Sequence, residues 1–195
     1  MARRALRLPT DDAVLLVFGG SRGAHAINRA VRDVLRPLVE RAHVVHVTGY
    51  DDYAEMEAIR QGMEPALRER YHPYAYLHDG MTDALVASDL VVARAGAATL
   101  GELPAAGVPA VLVPYPYAGQ HQHVNADYLA DRGAAVVVED ADLDERLLPV
   151  VAGLLEDGPR LRAMAEASRR LAVPDAAGAI ARHLKELAGE RTRAT

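Results

Sequence analysis

Cysteine and tryptophan are absent from the 195-residue sequence, and phenylalanine and lysine occur once each, at Phe18 and Lys185. Without cysteine there is no disulfide framework, thiolate zinc site, iron–sulfur cluster or cysteine nucleophile, and a reducing compartment is allowed. The longest apolar runs, such as Ala13–Phe18 and Ala134–Val138, fall far short of the roughly 18 residues that span a bilayer. Met1–Pro9 carries basic residues without the apolar stretch of a signal peptide. Basic charge is in deficit, with 22 Lys and Arg against 27 Asp and Glu for a formal net charge of −5, which disfavours broad nucleic-acid binding. What remains is a chain with 50% hydrophobic residues, long enough for one domain with a core of its own.

The pattern alternates between short apolar runs and helical periodicity. Ala13–Phe18 reads as a strand buried on both faces, stops at Gly19-Gly20-Ser21-Arg22-Gly23, and is followed by Ile27, Val31, Val34, Leu35 and Leu38 at helical spacing. Further strands are predicted at Val44–Thr48, Tyr74–Leu77, Leu90–Ala93, Ala110–Val113 and Ala135–Val138. Helices are predicted over Tyr53–Arg70 with a break near Gly62, Met81–Ser88, Ala98–Ala106 and Gln122–Arg132, then Leu143–Glu156, Pro159–Leu171 and Pro174–Leu187. Strands separated by helices imply right-handed βαβ units, hence an α/β, Rossmann-like, doubly wound six-stranded parallel sheet with C-terminal helices. Residues 1–12 read as a linker remnant, 13–190 as the domain and 191–195 as a tail.

In such sheets ligands bind beyond the carboxyl ends of the strands, where the strand order reverses. The loop Gly19–Gly23 joins a strand to a helix amino-terminus, where free N–H groups and the helix dipole favour an anion such as phosphate. Its spacing is neither the dinucleotide GxGxxG nor a P-loop, and a ligand-free βα turn fits it too. The segment Arg94–Glu102 again sets small residues ahead of a helix. There Glu102 reads either as a carboxylate for ribose hydroxyls or as the partner of a Thr99 N-cap in a capping box. The segment Val113–Asn125 offers Gln, His and Asn for sugar hydroxyls, or is a polar surface loop. His121 and His123 lack a third ligand at metal spacing. His43 and His46 read as packed or surface histidines, and Asp51-Asp52 as a helix cap. No Gly-x-Ser-x-Gly elbow or nucleophile triad is present.

Together, Gly19-Gly20-Ser21-Arg22-Gly23-Ala24, Arg94 through Leu103, and Val113-Pro114-Tyr115-Pro116 through His121-Gln122-x-x-Asn125-Ala126 closely resemble the carboxy-terminal domain of the MurG family, from about Ala13 to Leu187. The family's members are UDP-N-acetylglucosamine transferases that convert lipid I to lipid II in peptidoglycan synthesis. The resemblance implies one half of a GT-B, inverting glycosyltransferase, with no cofactor and no metal. By it, Ser21, Arg22 and Gly23 sit in the glycine loop near the diphosphate, with Arg22 where glutamine is common. Leu77 and Met81 flank the uracil, Ala97, Ala98 and Thr99 meet phosphate and sugar after Arg94, and Glu102 binds the ribose hydroxyls. His121 and Gln122 face the N-acetylglucosamine, with Asn125 on the adjoining helix. No catalytic residue is implied in this chain. The acceptor site, the membrane-contacting surface and the catalytic base are carried by the family's amino-terminal domain. A missing acceptor domain or a partner subunit is therefore implied, with lipid I reached through it at the cytoplasmic face of the plasma membrane. Two other readings fit the same donor loops: a noncatalytic donor-binding subunit of a split glycosyltransferase, like the soluble half of the eukaryotic split enzyme, or a related transferase with another acceptor.

Overall fold

The computed structural model describes residues 2–19, 24–117 and 121–193. Its strands are β1 (Val14–Phe18), β2 (His43–Val47), β3 (Tyr71–Tyr74), β4 (Leu90–Ala93), β5 (Ala110–Leu112) and β6 (Ala135–Val137). The helices are α1 (Ala2–Ala5), α2 (His25–Asp33), α3 (Leu35–Arg41), α4 (Tyr50–Gly62), α5 (Pro65–Arg68), α6 (Met81–Ala87), α7 (Thr99–Ala106), α8 (His121–Ala130), α9 (Leu143–Glu156), α10 (Gly158–Arg170) and α11 (Ala176–Arg193). A 3-10 turn, Asp140–Asp142, precedes α9.

All strand pairs are parallel and the order is β3-β2-β1-β4-β5-β6. The order reverses between β1 and β4, so the loops leaving those strands diverge and open a crevice at the carboxyl edge. Alternating strand residues feed two cores, as a period of two requires. Leu15, Val17, Val44, Leu90 and Val92 face α2, α3 and α9, where Ile27, Leu38 and Val151 are buried. Val14, Leu16, Val45, Val91 and Ala93 face α6, α7 and α8, where Leu85, Leu103 and Leu129 are buried. Burial on both faces is why these strands read as unbroken apolar runs.

The third strand lies three residues earlier than the sequence predicts. Pro73 lies within it and is tolerated because β3 is an edge strand and needs one hydrogen-bonded side only. Thr48 N–H still donates to Tyr74 O at 2.9 Å at the end of this pairing. Residues 2–12 include α1, which packs on α6, and buried Ala2 and Leu8 of this segment join the same core. Arg3 binds Asp89 at 2.8 Å and donates to the carbonyls of Ala87 and Asp12. At the other end, α11 leaves Ile180, Leu184 and Leu187 exposed on one stripe. Among the described residues no helix is long and apolar enough to cross a membrane.

Candidate functional site

The crevice at the strand-order reversal is a cleft of about 1050 Å³. Its apolar wall is made by Phe18 at the end of β1, Val47 at the end of β2, and Leu77 and Met81 between β3 and α6. Leu77 lies in the connection after β3 rather than at the strand end, because that strand closes at Tyr74. Tyr76 and His78 flank it and also line the cleft.

Ala24, His25 and Ala26 at the start of α2 form one side of the cleft, and Gly96, Ala98, Thr99 and Glu102 around the start of α7 form the other. Among the described residues no side chain caps α2, so the N–H groups of His25, Ala26 and Ile27 lack an intrahelical acceptor near the cleft, whereas at α7 Thr99, Leu100 and Gly101 N–H donate to the carbonyls of Gly96, Ala97 and Ala98. Ala98, not Thr99, is the N-cap of α7, and Thr99 Oγ1 turns back to donate to Gly96 O at 2.5 Å. The capping box therefore does not form. Glu102 is exposed, lines the cleft and has no hydrogen-bond or ionic partner among the described residues.

Arg94 lines the floor, but its guanidinium is engaged by the protein: it pairs with Asp140, donates to the carbonyls of Val113 at 3.3 Å and Pro114 at 3.4 Å, and lies 5.3 Å from the Tyr115 ring centroid. Gln122 lines the cleft and its Oε1 accepts from Tyr115 N–H at 2.9 Å, tying α8 to the loop after β5. Asn125 does not line the cleft; its Nδ2 donates to Ala95 O at 3.0 Å and fixes α8 against the loop after β4. Ala97 and His121 are exposed beside the cleft without lining it. Ser21, Arg22 and Gly23 lie outside the described residues. Among the described residues no three His, Cys, Asp or Glu side chains gather as a metal site.

A polar chain runs from the core to the cleft, and no local signal in the sequence announces it. The Tyr71 hydroxyl meets His46 Nδ1 at 2.9 Å, His46 Nε2 meets Asn28 Oδ1 at 3.0 Å, and Asn28 Nδ2 donates to Asp52 at 2.6 Å and to Thr48 O at 2.7 Å. Asp52 lies inside the first turn of α4, whose N-cap is Gly49, so it does not cap that helix as the sequence suggests; it receives His25 Nδ1 at 3.0 Å. Complete burial pushes His46 down to about 3, keeping it neutral. Burial alone raises the Asp52 carboxyl, but hydrogen bonds from Asn28 and His25 outweigh it and leave the group below the usual carboxylate range. Tyr115 and Tyr117, edge to face at 5.6 Å between centroids, complete the rim and are likewise missing from the sequence expectations.

The family described as the glycosyltransferase family 28 C-terminal domain matches residues 14–180. The chain is 44% identical, over an alignment of 216 positions, to the UDP-N-acetylglucosamine--N-acetylmuramyl-(pentapeptide) pyrophosphoryl-undecaprenol N-acetylglucosamine transferase of Roseiflexus sp., covering 98% of this chain and 49% of that protein. It is 47% identical over 184 positions to the protein of the same description from Chlorobium limicola, covering 93% and 48%. Among solved structures it is similar to MurG of Acinetobacter baumannii, with a TM-score of 0.78 and 28% identity over 95% of this chain and 53% of that one. The chain thus spans about half the length of the relatives it matches.

Proposed function

Because the chain belongs to the family of glycosyltransferase family 28 C-terminal domains, we propose that its cleft binds UDP-N-acetylglucosamine, the donor for transfer of N-acetylglucosamine to lipid I in peptidoglycan synthesis. Glu102 carries this reading: a carboxylate one helical turn into α7, without a partner among the described residues and across the cleft from the α2 amino-terminus, suits the two ribose hydroxyls. The base lies against Leu77 and Met81, the diphosphate meets the amino-termini of α2 and α7, and the sugar extends toward Gln122 and His121. Arg94 and Asn125 hold the surrounding loops in register.

The acceptor oxygen attacks the anomeric carbon, the bond from that carbon to the β-phosphate oxygen breaks with inversion, and UDP departs with the electron pair. Backbone N–H groups at the helix ends stabilise the charge that develops on the leaving diphosphate. The acceptor proton goes to a base outside this chain. The half-length match to the relatives supports an acceptor domain or partner subunit that supplies the base, the lipid I site and attachment at the cytoplasmic membrane face. The exposed stripe of Ile180, Leu184 and Leu187 on α11 is suited to cover by that half.

Thermal shifts with UDP-N-acetylglucosamine, UDP-glucose and NAD test the donor. The first raises the melting temperature most and NAD leaves it unchanged; a larger shift with NAD overturns the reading. N-acetylglucosamine transfer to lipid I by the 195-residue chain alone would overturn the assignment of the base to another half.

A further inference from the structure

We propose that His25 is a proton-coupled anion contact, held by Asp52 so that its Nε2 meets the diphosphate of a bound nucleotide and takes up a proton in doing so. The inference rests on the reading of the cleft as a nucleoside-diphosphate site.

The chain of hydrogen bonds behind His25 has a fixed sense. Asn28 Nδ2 donates to both Thr48 O and Asp52, so Asn28 Oδ1 is the acceptor for His46 Nε2–H, and His46 Nδ1 accepts from Tyr71. Asp52 is thus an oriented, ionised acceptor, 13% exposed, with both oxygens close to His25 Nδ1, at 3.0 and 3.1 Å. That contact keeps the proton of a neutral imidazole on Nδ1 and leaves a lone pair on Nε2. A lone pair repels a phosphate oxygen, whereas the imidazolium donates to it and is balanced on its other side by Asp52. The His25 side chain is 78% exposed and lines the cleft, so Nε2 is accessible to a ligand.

The charge around His25 adds a second argument. Asp52 of α4 contacts it, and Glu102 of α7 with Tyr76 and His78 after β3 line the same cleft. On its own helix, Arg29 pairs with Asp144 of α9 and Arg32 with Asp33 and Glu55. Arg94 pairs with Asp140. Arg94 is the one Arg or Lys among the described lining residues and it is paired, so among those residues positive charge toward a diphosphate comes from an imidazole that gains a proton from solvent as the anion binds. Arg22 of the glycine loop lies outside the described residues.

Calorimetric titration of the 195-residue chain with UDP, in two buffers of different ionisation enthalpy, measures the protons exchanged. His25→Gln lowers proton uptake by a measurable fraction per UDP relative to the unaltered chain. It weakens UDP roughly five- to tenfold at pH 6.5 and little at pH 8.5, and leaves uridine binding unchanged. His25→Lys restores UDP affinity through a fixed charge and shows no such uptake. UDP binding with the same proton count in His25→Gln overturns the inference while the nucleotide reading stands. Loss of the uptake in His78→Gln instead overturns the assignment to His25. No binding of UDP by the unaltered chain overturns both.

Discussion

Arg94, on the loop that leaves β4, forms an ion pair beneath the cleft with Asp140, in the turn that leaves β6. Their side chains are 10% and 24% exposed, and Arg94 also holds the carbonyls of Val113 and Pro114 after β5. One guanidinium therefore joins the exits of three parallel strands, and the cleft floor keeps its shape through it. Placing these two charges out of water is tolerated because they neutralise each other, so removing one partner costs more than replacing both. Asp140→Ala is expected to lower unfolding free energy by roughly 2–4 kcal/mol, and the double variant Arg94→Met with Asp140→Leu to regain at least half of that. Urea unfolding measures both; a double variant less stable than Asp140→Ala would show that the pair is not the relevant unit.

Glu102 has the opposite character, exposed and without a partner, so its removal should leave stability unchanged and fall on ligand affinity alone. Glu102→Ala is expected to cost about 1–3 kcal/mol of UDP affinity, the range for hydrogen bonds to a charged group. With 2′-deoxy-UDP the unaltered chain should lose part of that amount, and the variant should lose nothing further. Equal affinity of variant and unaltered chain for UDP would leave Glu102 without a role in the cleft.

The buried histidines set a pH dependence of stability. Burial brings His46 to about 3; burial, then the neighbouring charges of His43 and Arg60, brings His72 to about 4. His43 is lowered as well, by burial and by Arg70, against the pull of Asp12. Each of these groups binds a proton more readily in the unfolded chain, whose imidazoles titrate near 6.5. Between that value and the depressed ones the unfolded state holds more protons, so stability is complete above about pH 6.5 and falls as the solution is acidified. Asp52, whose carboxyl is lowered, adds a loss in the same direction at still lower pH. The total lost by pH 4 should be on the order of 6 kcal/mol, most of it from His46 and His72. A melting temperature that stays level from pH 7 to pH 4 would contradict this account.

Features set by local pattern are legible in the amino-acid order itself: the doubly buried strand at Val14–Phe18, the glycine stop after it, and the small residues ahead of α7. Features set by partners distant in sequence are not. Nothing near Asp52 shows that Asn28 and His25 will claim its carboxylate from another helix, so the residue reads as a cap. That Arg94 would pair with Asp140 beneath the cleft is not visible either, because Asp140 is far along the chain. The third strand, predicted at Tyr74–Leu77, begins at Tyr71 and includes Pro73, because sequence does not reveal which strand lies at the edge. For Glu102 both alternatives are visible, and the choice turns on whether Thr99 is the N-cap, a backbone detail that spacing does not specify.

Asn28 is the one link in the polar chain whose amide must donate on one side and accept on the other. Its Nδ2 serves Thr48 O at 2.7 Å and Asp52 at 2.6 Å, while its Oδ1 receives His46 Nε2 at 3.0 Å. Asn28→Asp keeps the shape but sets a second carboxylate against Asp52 and leaves the Thr48 carbonyl without its donor. At neutral pH this should cost roughly 3–5 kcal/mol, from like charges in a buried site together with a lost hydrogen bond. Adding Asp52→Asn removes the repulsion and lets the new amide donate to the carboxylate at position 28, though the Thr48 carbonyl stays unpaired. The double variant should therefore be more stable than Asn28→Asp alone, by about 1–3 kcal/mol in a double-mutant cycle. Additive losses would mean that the two side chains do not interact as described. Rescue in the cycle would establish that this reciprocal amide bond, rather than volume or burial at position 28, ties α2 to α4 behind the cleft.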